Sequence, residues 1–130
     1  MKPDRHEICQ TYLDELAATT PEIMTAVVTT EDGFEVAAME RGAVSHSKLS
    51  AMTSAMLALG HTMVAEGKLE NCLNVIVEAD TGHIFMLAIP GVEGALLLNV
   101  IADRQVTMGR LLWASKRCCD QIRAGLSPDR

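Results

Sequence analysis

Apolar residues first recur with a helical period. Ile8, Tyr12, Leu13, Leu16 and Ala17 form one stripe, which predicts a helix over residues 4–19. Asp4 is placed to cap it, with Glu7 in a capping-box-like position three residues on. Thr20-Pro21 ends it, because the residue before a proline disfavours helical backbone. The period then changes. Two β-prone runs, residues 23–30 and 34–39, flank Glu31-Asp32-Gly33. Asp-Gly between such runs is a hairpin signal. Residues 45–66 form a long helix with Ser45 or Ser47 as its cap and Gly67 just past its end. Residues 71–79 and 83–89 make a second hairpin around Asp80-Thr81-Gly82. Pro90-Gly91 and Gly94 turn the chain into a fifth strand, residues 95–101. A last helix runs over residues 104–124 and is closed by Gly125.

The order is therefore α-β-β-α-β-β-β-α. Two hairpins imply a mainly antiparallel sheet. The fifth strand, Ala95-Leu96-Leu97-Leu98-Asn99-Val100-Ile101, is apolar on both faces. Such a run belongs in the middle of a sheet covered on both sides. The expected architecture is α/β of the α+β kind: one five-stranded sheet with one helix on one face and two on the other. The 130 residues suit a single domain, expected over 1–130 with its core over about 5–124. No linker, repeat or low-complexity segment interrupts them.

The central helix is the informative segment. Leu49, Met52, Met56, Leu59 and Met63 form a bulky stripe, extended by Leu57 and Val64. Ala51, Ala55, Ala58, Thr62 and Ala65 form a separate stripe of small residues. A helix on the surface of a monomer should show a solvated polar face, and this one does not. The bulky stripe is expected on the sheet. The small stripe is expected against a second molecule, and a two-fold homodimer is the commonest such assembly.

Composition narrows the partners. The formal net charge is −6, which repels phosphate backbones, and no basic stripe offsets it. The only dense basic stretch, Lys116-Arg117, lies near the end of the last helix, where cations suit the helix dipole. Nucleic acid is not an expected partner. No apolar run approaches the roughly 18–20 residues that span a bilayer, and the first residues carry no apolar signal segment. A cytoplasmic location is expected, with Cys9, Cys72, Cys118 and Cys119 reduced. Aromatic residues are only 3% of the chain and methionines number eight, so Leu, Ile, Val, Ala and Met build the core.

Several segments resemble the Roadblock/dynein light chain superfamily. Ala26-Val-Val-Thr-Thr-Glu-Asp-Gly33-Phe-Glu-Val-Ala-Ala38 is similar to its first hairpin. Leu49-Ser-Ala-Met-Thr-Ser-Ala-Met-Leu-Ala-Leu-Gly60 resembles its Ala-rich central helix. Gly67-Lys-Leu-Glu-Asn-Cys-Leu-Asn-Val-Ile-Val-Glu78 with Gly82 resembles its third strand and turn, and Met108-Gly109-Arg-Leu-Leu the start of its last helix. The likeness spans about residues 5–124. It implies a Roadblock/profilin-like fold and a homodimer joined through the central helix and the third strand. It also implies a partner, a small Ras-like GTPase, which the chain regulates or scaffolds without being an enzyme. The candidate dimer interface is Ser47, Ala51, Ser54, Ala55, Ala58, Thr62 and Ala65 with Cys72, Asn74 and Ile76 of the third strand. A structural light chain with no nucleotide-linked role is the first alternative. A small-ligand sensor is the second; the few aromatics and the absence of a polar core cluster from the pattern disfavour it.

Catalytic chemistry is sparse. No phosphate-loop or dinucleotide fingerprint is present, and Gly91-Val-Glu-Gly94 reads as a turn. His6 and Cys9 share a helix face, but two ligands do not close a zinc site. No metal, other cofactor or catalytic residue is expected. Cys118 and Cys119 diverge by about 100° on a helix, so one buried and one partly buried thiol are expected. Cys72 and His83 could approach across the second hairpin. Arg41 and Arg104 read as solvated loop residues, although an arginine can serve a GTPase transition state.

Overall fold

The structure, a computed structural model, describes residues 4–42, 45–91 and 95–127. Helix α1 (Arg5–Thr19) is followed by strands β1 (Ile23–Thr30) and β2 (Glu35–Glu40), helix α2 (His46–Glu66), strands β3 (Asn74–Ala79), β4 (Gly82–Ile89) and β5 (Leu96–Asp103), and helix α3 (Met108–Leu126). The element order is the one read from the hydrophobic pattern. All five strands form one antiparallel sheet in the order β2-β1-β5-β4-β3. The doubly apolar strand β5 is indeed central.

Local chemistry sets the element ends. Asp4 caps α1 by accepting from the Glu7 N–H at 2.8 Å, and Ser45 caps α2 through the Lys48 N–H. Gly33 has φ +92° at the tip of the first hairpin, a backbone state that favours glycine. A Cβ there would also press to 3.2 Å on the Ala51 Cα of α2. Boundaries differ from expectation where side chains override pattern. Strand β3 starts at Asn74 and not at residue 71, because Lys68 and Asn71 adopt positive φ in the loop before it. Helix α3 starts at Met108, where Thr107 supplies the cap, while Asp103 turns the preceding chain through the Gln105 N–H. The expected turn residue Gly94 lies outside the described residues.

Two cores of unlike chemistry flank the sheet. Against α1 and α3 lies a large apolar core that includes Leu13, Leu16, Phe85, Leu98, Val100, Leu111 and Ile122. Under α2 a smaller apolar cluster, Leu57, Cys72, Met86 and Leu97, adjoins buried polar side chains. Thr25, Thr29, Ser50, Thr53 and Asn99 are all buried, and Asn99 Nδ2 donates to Thr53 Oγ1 at 2.9 Å. Thr25 Oγ1, Ser50 Oγ and Asn99 Oδ1 have no partner among the described residues. A polar cluster thus exists where the sequence showed none.

This polar seam corrects the assignment of the helix faces. The stripe of α2 that meets the sheet is Ser50, Thr53, Leu57 and Gly60, flanked by half-buried Met56 and Val64. Of the expected bulky stripe only these last two and Leu57 pack into the apolar cluster there. At Gly60 an added Cβ would sit 2.8 Å from the Cys72 Sγ and 3.2 Å from Val75, so the helix lies too close for bulk. Met52, Leu59 and Met63 face outwards, 61%, 53% and 66% exposed.

Thr53→Val should therefore strand the Asn99 amide in a buried site and cost roughly 1–3 kcal/mol. Thr53→Val with Asn99→Leu should recover much of that loss. Urea denaturation of the two variants checks this; equal stability of the single variant and the parent would contradict it.

Candidate functional site

The two edges of the sheet are treated differently. At the outer edge, β2 is closed by α1: Gln10 Nε2 donates to the Ala38 carbonyl at 2.9 Å, the Ala38 N–H donates to Gln10 Oε1 at 3.4 Å, and His6 Nδ1 lies 2.8 Å from the Val36 carbonyl. Charge covers the same edge, with His46 between Glu35 and Glu40. Such devices blunt an edge against pairing. Strand β3 has no equivalent. Among the described residues no side chain hydrogen-bonds the main chain of residues 75–79, and its sequence Asn-Val-Ile-Val-Glu-Ala holds one charge and no proline.

The outward face of α2 continues onto this open edge. Gly60 contacts Cys72 and Val75, so the flank of α2 that carries Met52, Met56, Leu59 and Met63 lies on the β3 side. Leu69 and Leu73 are exposed in the loop after α2, and Ile76 and Val77 on β3. Val77 shares the α2 face of the sheet with Val75, whereas Ile76, opposite Phe85, points to the other face, so the two flank the open edge. Among the described residues these four and Met52, Leu59 and Met63 are seven of the eleven large exposed apolar side chains. Clustering of this kind marks an interaction surface on a protein of this size.

Each candidate residue can be placed on it. Ser47, Ala51, Ala55, Ala58, Thr62 and Ala65 are exposed along the crest and far flank of α2. Ser54 is half-buried and donates to the Glu31 carbonyl of the hairpin tip. Asn74 is half-buried and Ile76 is exposed on β3. Cys72 differs: it precedes β3 and is buried under α2 within the one chain, so its side chain has little surface left to offer. Sequence reasoning missed Met52, Leu59 and Met63 as exposed residues, because apolar stripes look alike whichever way they point.

No catalytic constellation assembles from the other candidates. His6 is turned to β2, while Cys9 is buried against α3. Cys72 and His83 do not meet, since His83 pairs with Glu78 in the hairpin register. Arg41 is an exposed loop residue as expected, yet it is anchored: its guanidinium donates to the Pro21 carbonyl at 2.6 Å, to the Ile23 carbonyl at 3.2 Å and to the Ala17 carbonyl, tying α1 to β1. Arg104 Nη1 donates to the Asp80 carbonyl at 2.7 Å. It lines an open depression of about 500 Å³ with Glu78, Asp80 and His83, where opposite charges face one another. No group of three or more His, Cys, Asp or Glu among the described residues could hold a metal ion. Among the same residues no helix is long and apolar enough to cross a membrane.

Comparison with known proteins agrees with this geometry. No family model matches the chain, and no curated protein is similar to it. Among solved structures, the gliding protein MglB of Thermus thermophilus has a TM-score of 0.81 at 14% identity, covering 97% of this chain and 93% of its own. A Roadblock/LC7 domain from Streptomyces avermitilis has a TM-score of 0.78 at 20% identity, covering 88% and 94%. A Schizosaccharomyces pombe profilin has a TM-score of 0.65 at 13% identity, covering 88% and 96%. The chain has the Roadblock fold, with the wider likeness to profilin expected of it.

The remaining thiols, Cys9, Cys118 and Cys119, are buried. Cys118 and Cys119 are both buried, where one partly buried thiol was expected. Burial, opposed by Arg5, pushes the Cys9 thiol up to about 11. Burial, aided by Asp120, pushes Cys119 up to about 12. Cys118 is raised further still by burial, with Cys119, Cys9 and Glu15 adding to it. Unfolded thiols ionise near 9.0, so above that pH unfolding releases protons. Stability should be full below about pH 9 and fall as pH rises towards 12, read as a declining urea midpoint. Cys118→Ala should flatten that decline; an unchanged slope would contradict it.

Proposed function

We propose that this chain is a single-domain, non-enzymatic, cytoplasmic protein that pairs with its own copy and regulates or scaffolds a small Ras-like GTPase. The observation that carries this reading is the unequal treatment of the two sheet edges. One is closed by α1 side chains; the other is open, apolar and continuous with the methionine flank of α2. Two copies joined by a two-fold axis would place β3 beside β3 and α2 beside α2. The pairing would supply main-chain hydrogen bonds to the open edge and remove the apolar surface from water. Methionine suits such a contact because its flexible thioether adapts to an opposing surface.

This interface differs from the one expected of the small residues alone. Ala51, Ala55, Ala58 and Thr62 let helices approach, but the apolar area comes from Met52, Leu59 and Met63. The Roadblock fold, the family resemblance and the lack of an assembled catalytic site among the described residues favour partner binding over catalysis. The mechanism is differential binding: a regulator holds one nucleotide state of its GTPase better than the other.

Leu59→Glu and Ala58→Glu each place a charge in the proposed contact and should yield folded monomers of 14.0 kDa. Light scattering on a sizing column reads this; two fully dimeric variants would refute the interface. Pull-downs with GTP- and GDP-loaded GTPase test the rest. A preference for one state supports regulation, equal recovery supports scaffolding, and no recovery in either contradicts the GTPase reading.

A further inference from the structure

Two exposed features lie apart from the methionine flank of α2 and the β3 edge and complement each other. The first is the tip of the β1–β2 hairpin. Phe34 is 70% exposed there, with Glu31, Asp32 and Glu35 around it and no basic residue within the turn. The tip is rigid. The Phe34 N–H donates to Thr30 Oγ1 at 3.0 Å, its carbonyl accepts from Thr30 N–H and Thr29 Oγ1 at 2.8 Å each, and Ser54 of α2 holds the Glu31 carbonyl. A knob ordered before contact loses little entropy on docking.

The second feature is the outer face of α3. It carries Trp113, the only tryptophan in the chain, 64% exposed. The Arg117 guanidinium sits 5.6 Å from the indole centroid. Arg110, Lys116, Arg117 and Arg123 face outwards against a single acid on the helix surface, Asp120, in a chain of net charge −6. Between α3 and α1 runs a groove of about 70 Å³, lined in part by Arg110, Trp113, Arg117, Glu15 and Gln121. Glu22 holds Arg110 at 3.2 Å and Gln121 holds Glu15, leaving Arg117 turned to solvent beside the indole. Tryptophan and arginine together are typical anchors of protein contacts.

We propose that the acidic Phe34 tip of one copy docks on the Trp113–Arg117 ridge of another. Within one chain the two do not meet: the tip packs on Ala51 and Ser54 of α2, on the face of the sheet opposite to the one that α3 covers. The contact is therefore head-to-tail and joins different surfaces of the two copies. Contacts of that class build rings or filaments rather than closed pairs. Added to an α2–β3 pair they would link pairs into larger assemblies, but they do not depend on that pairing. An anionic membrane is a poorer occupant, since the neighbouring helix α1 presents Glu7, Asp14 and Glu15 on the same layer.

Light scattering of the full chain across concentration and salt tests this. The mass should rise above the basal species, monomer or pair, as concentration increases, and return to it in high salt. Arg117→Glu and Asp32→Lys alter exposed residues, so folding is retained, and each should weaken the association about tenfold or more. Mixing these two variants should restore it, because each supplies the surface the other lacks. A mass independent of concentration and salt, or variants that associate like the parent, would overturn the proposal. Arg117-dependent co-sedimentation with phosphatidylserine vesicles without self-association would also overturn it, assigning the ridge to a membrane. Loss of the α2–β3 pair lowers the basal mass only and leaves these salt-sensitive steps in place, so the two failures are distinguishable.

Discussion

The close seat of α2 on the sheet determines most of what the protein presents to its surroundings. Gly60 lies against Cys72 and Val75, and Thr53 is hydrogen-bonded to Asn99 of the central strand. Contact at that range leaves room on the inner stripe for small or polar side chains and one leucine, Leu57, with Met56 and Val64 half-buried at its margins. Met52, Leu59 and Met63 of the same helix point outwards. A helix whose apolar side chains outnumber its buried positions carries the surplus on its surface, and here the surplus borders an unprotected strand edge. The seat of α2 thus links a core detail to the exposed apolar surface.

The opposite face of the sheet follows a different rule. There α1 and α3 cover a larger, mostly apolar core, with Ser115 of α3 a buried polar exception, and the same helix α1 closes the β2 edge with Gln10 and His6. On that side the sheet and its edge are covered within the one chain. The other is covered only if something else lies on it. Arg41 and Arg104, bound to main-chain carbonyls, help to fix the frame.

Much of the fold was legible because its signals are local. Asp-Gly at 32–33, the doubly apolar run in β5 and the serines at 45 and 47 at the start of α2 each report on a few neighbouring residues, and element order followed. The orientation of α2 was not legible. Periodicity identifies stripes but not which stripe is buried, and the deciding facts, Gly60 under Cys72 and a polar sheet face of Thr25, Thr29 and Asn99, come from distant parts of the chain. The start of β3 was hidden by Lys68 and Asn71 taking positive φ, which neither residue type announces. The buried state of both Cys118 and Cys119 arises from packing against α1 as well as the sheet, so one helix wheel could not reveal it.

The most direct test of the central claim is amide hydrogen exchange along β3, Asn74–Ala79, followed as the protein is diluted. If two copies pair through this edge, its amides are protected to a degree comparable with β4 at high concentration and lose that protection on dilution, while β5 stays protected throughout. Outward amides of β3 that exchange at the rate of an open edge at every concentration would contradict the pairing and return the methionine surface to the search for a different partner.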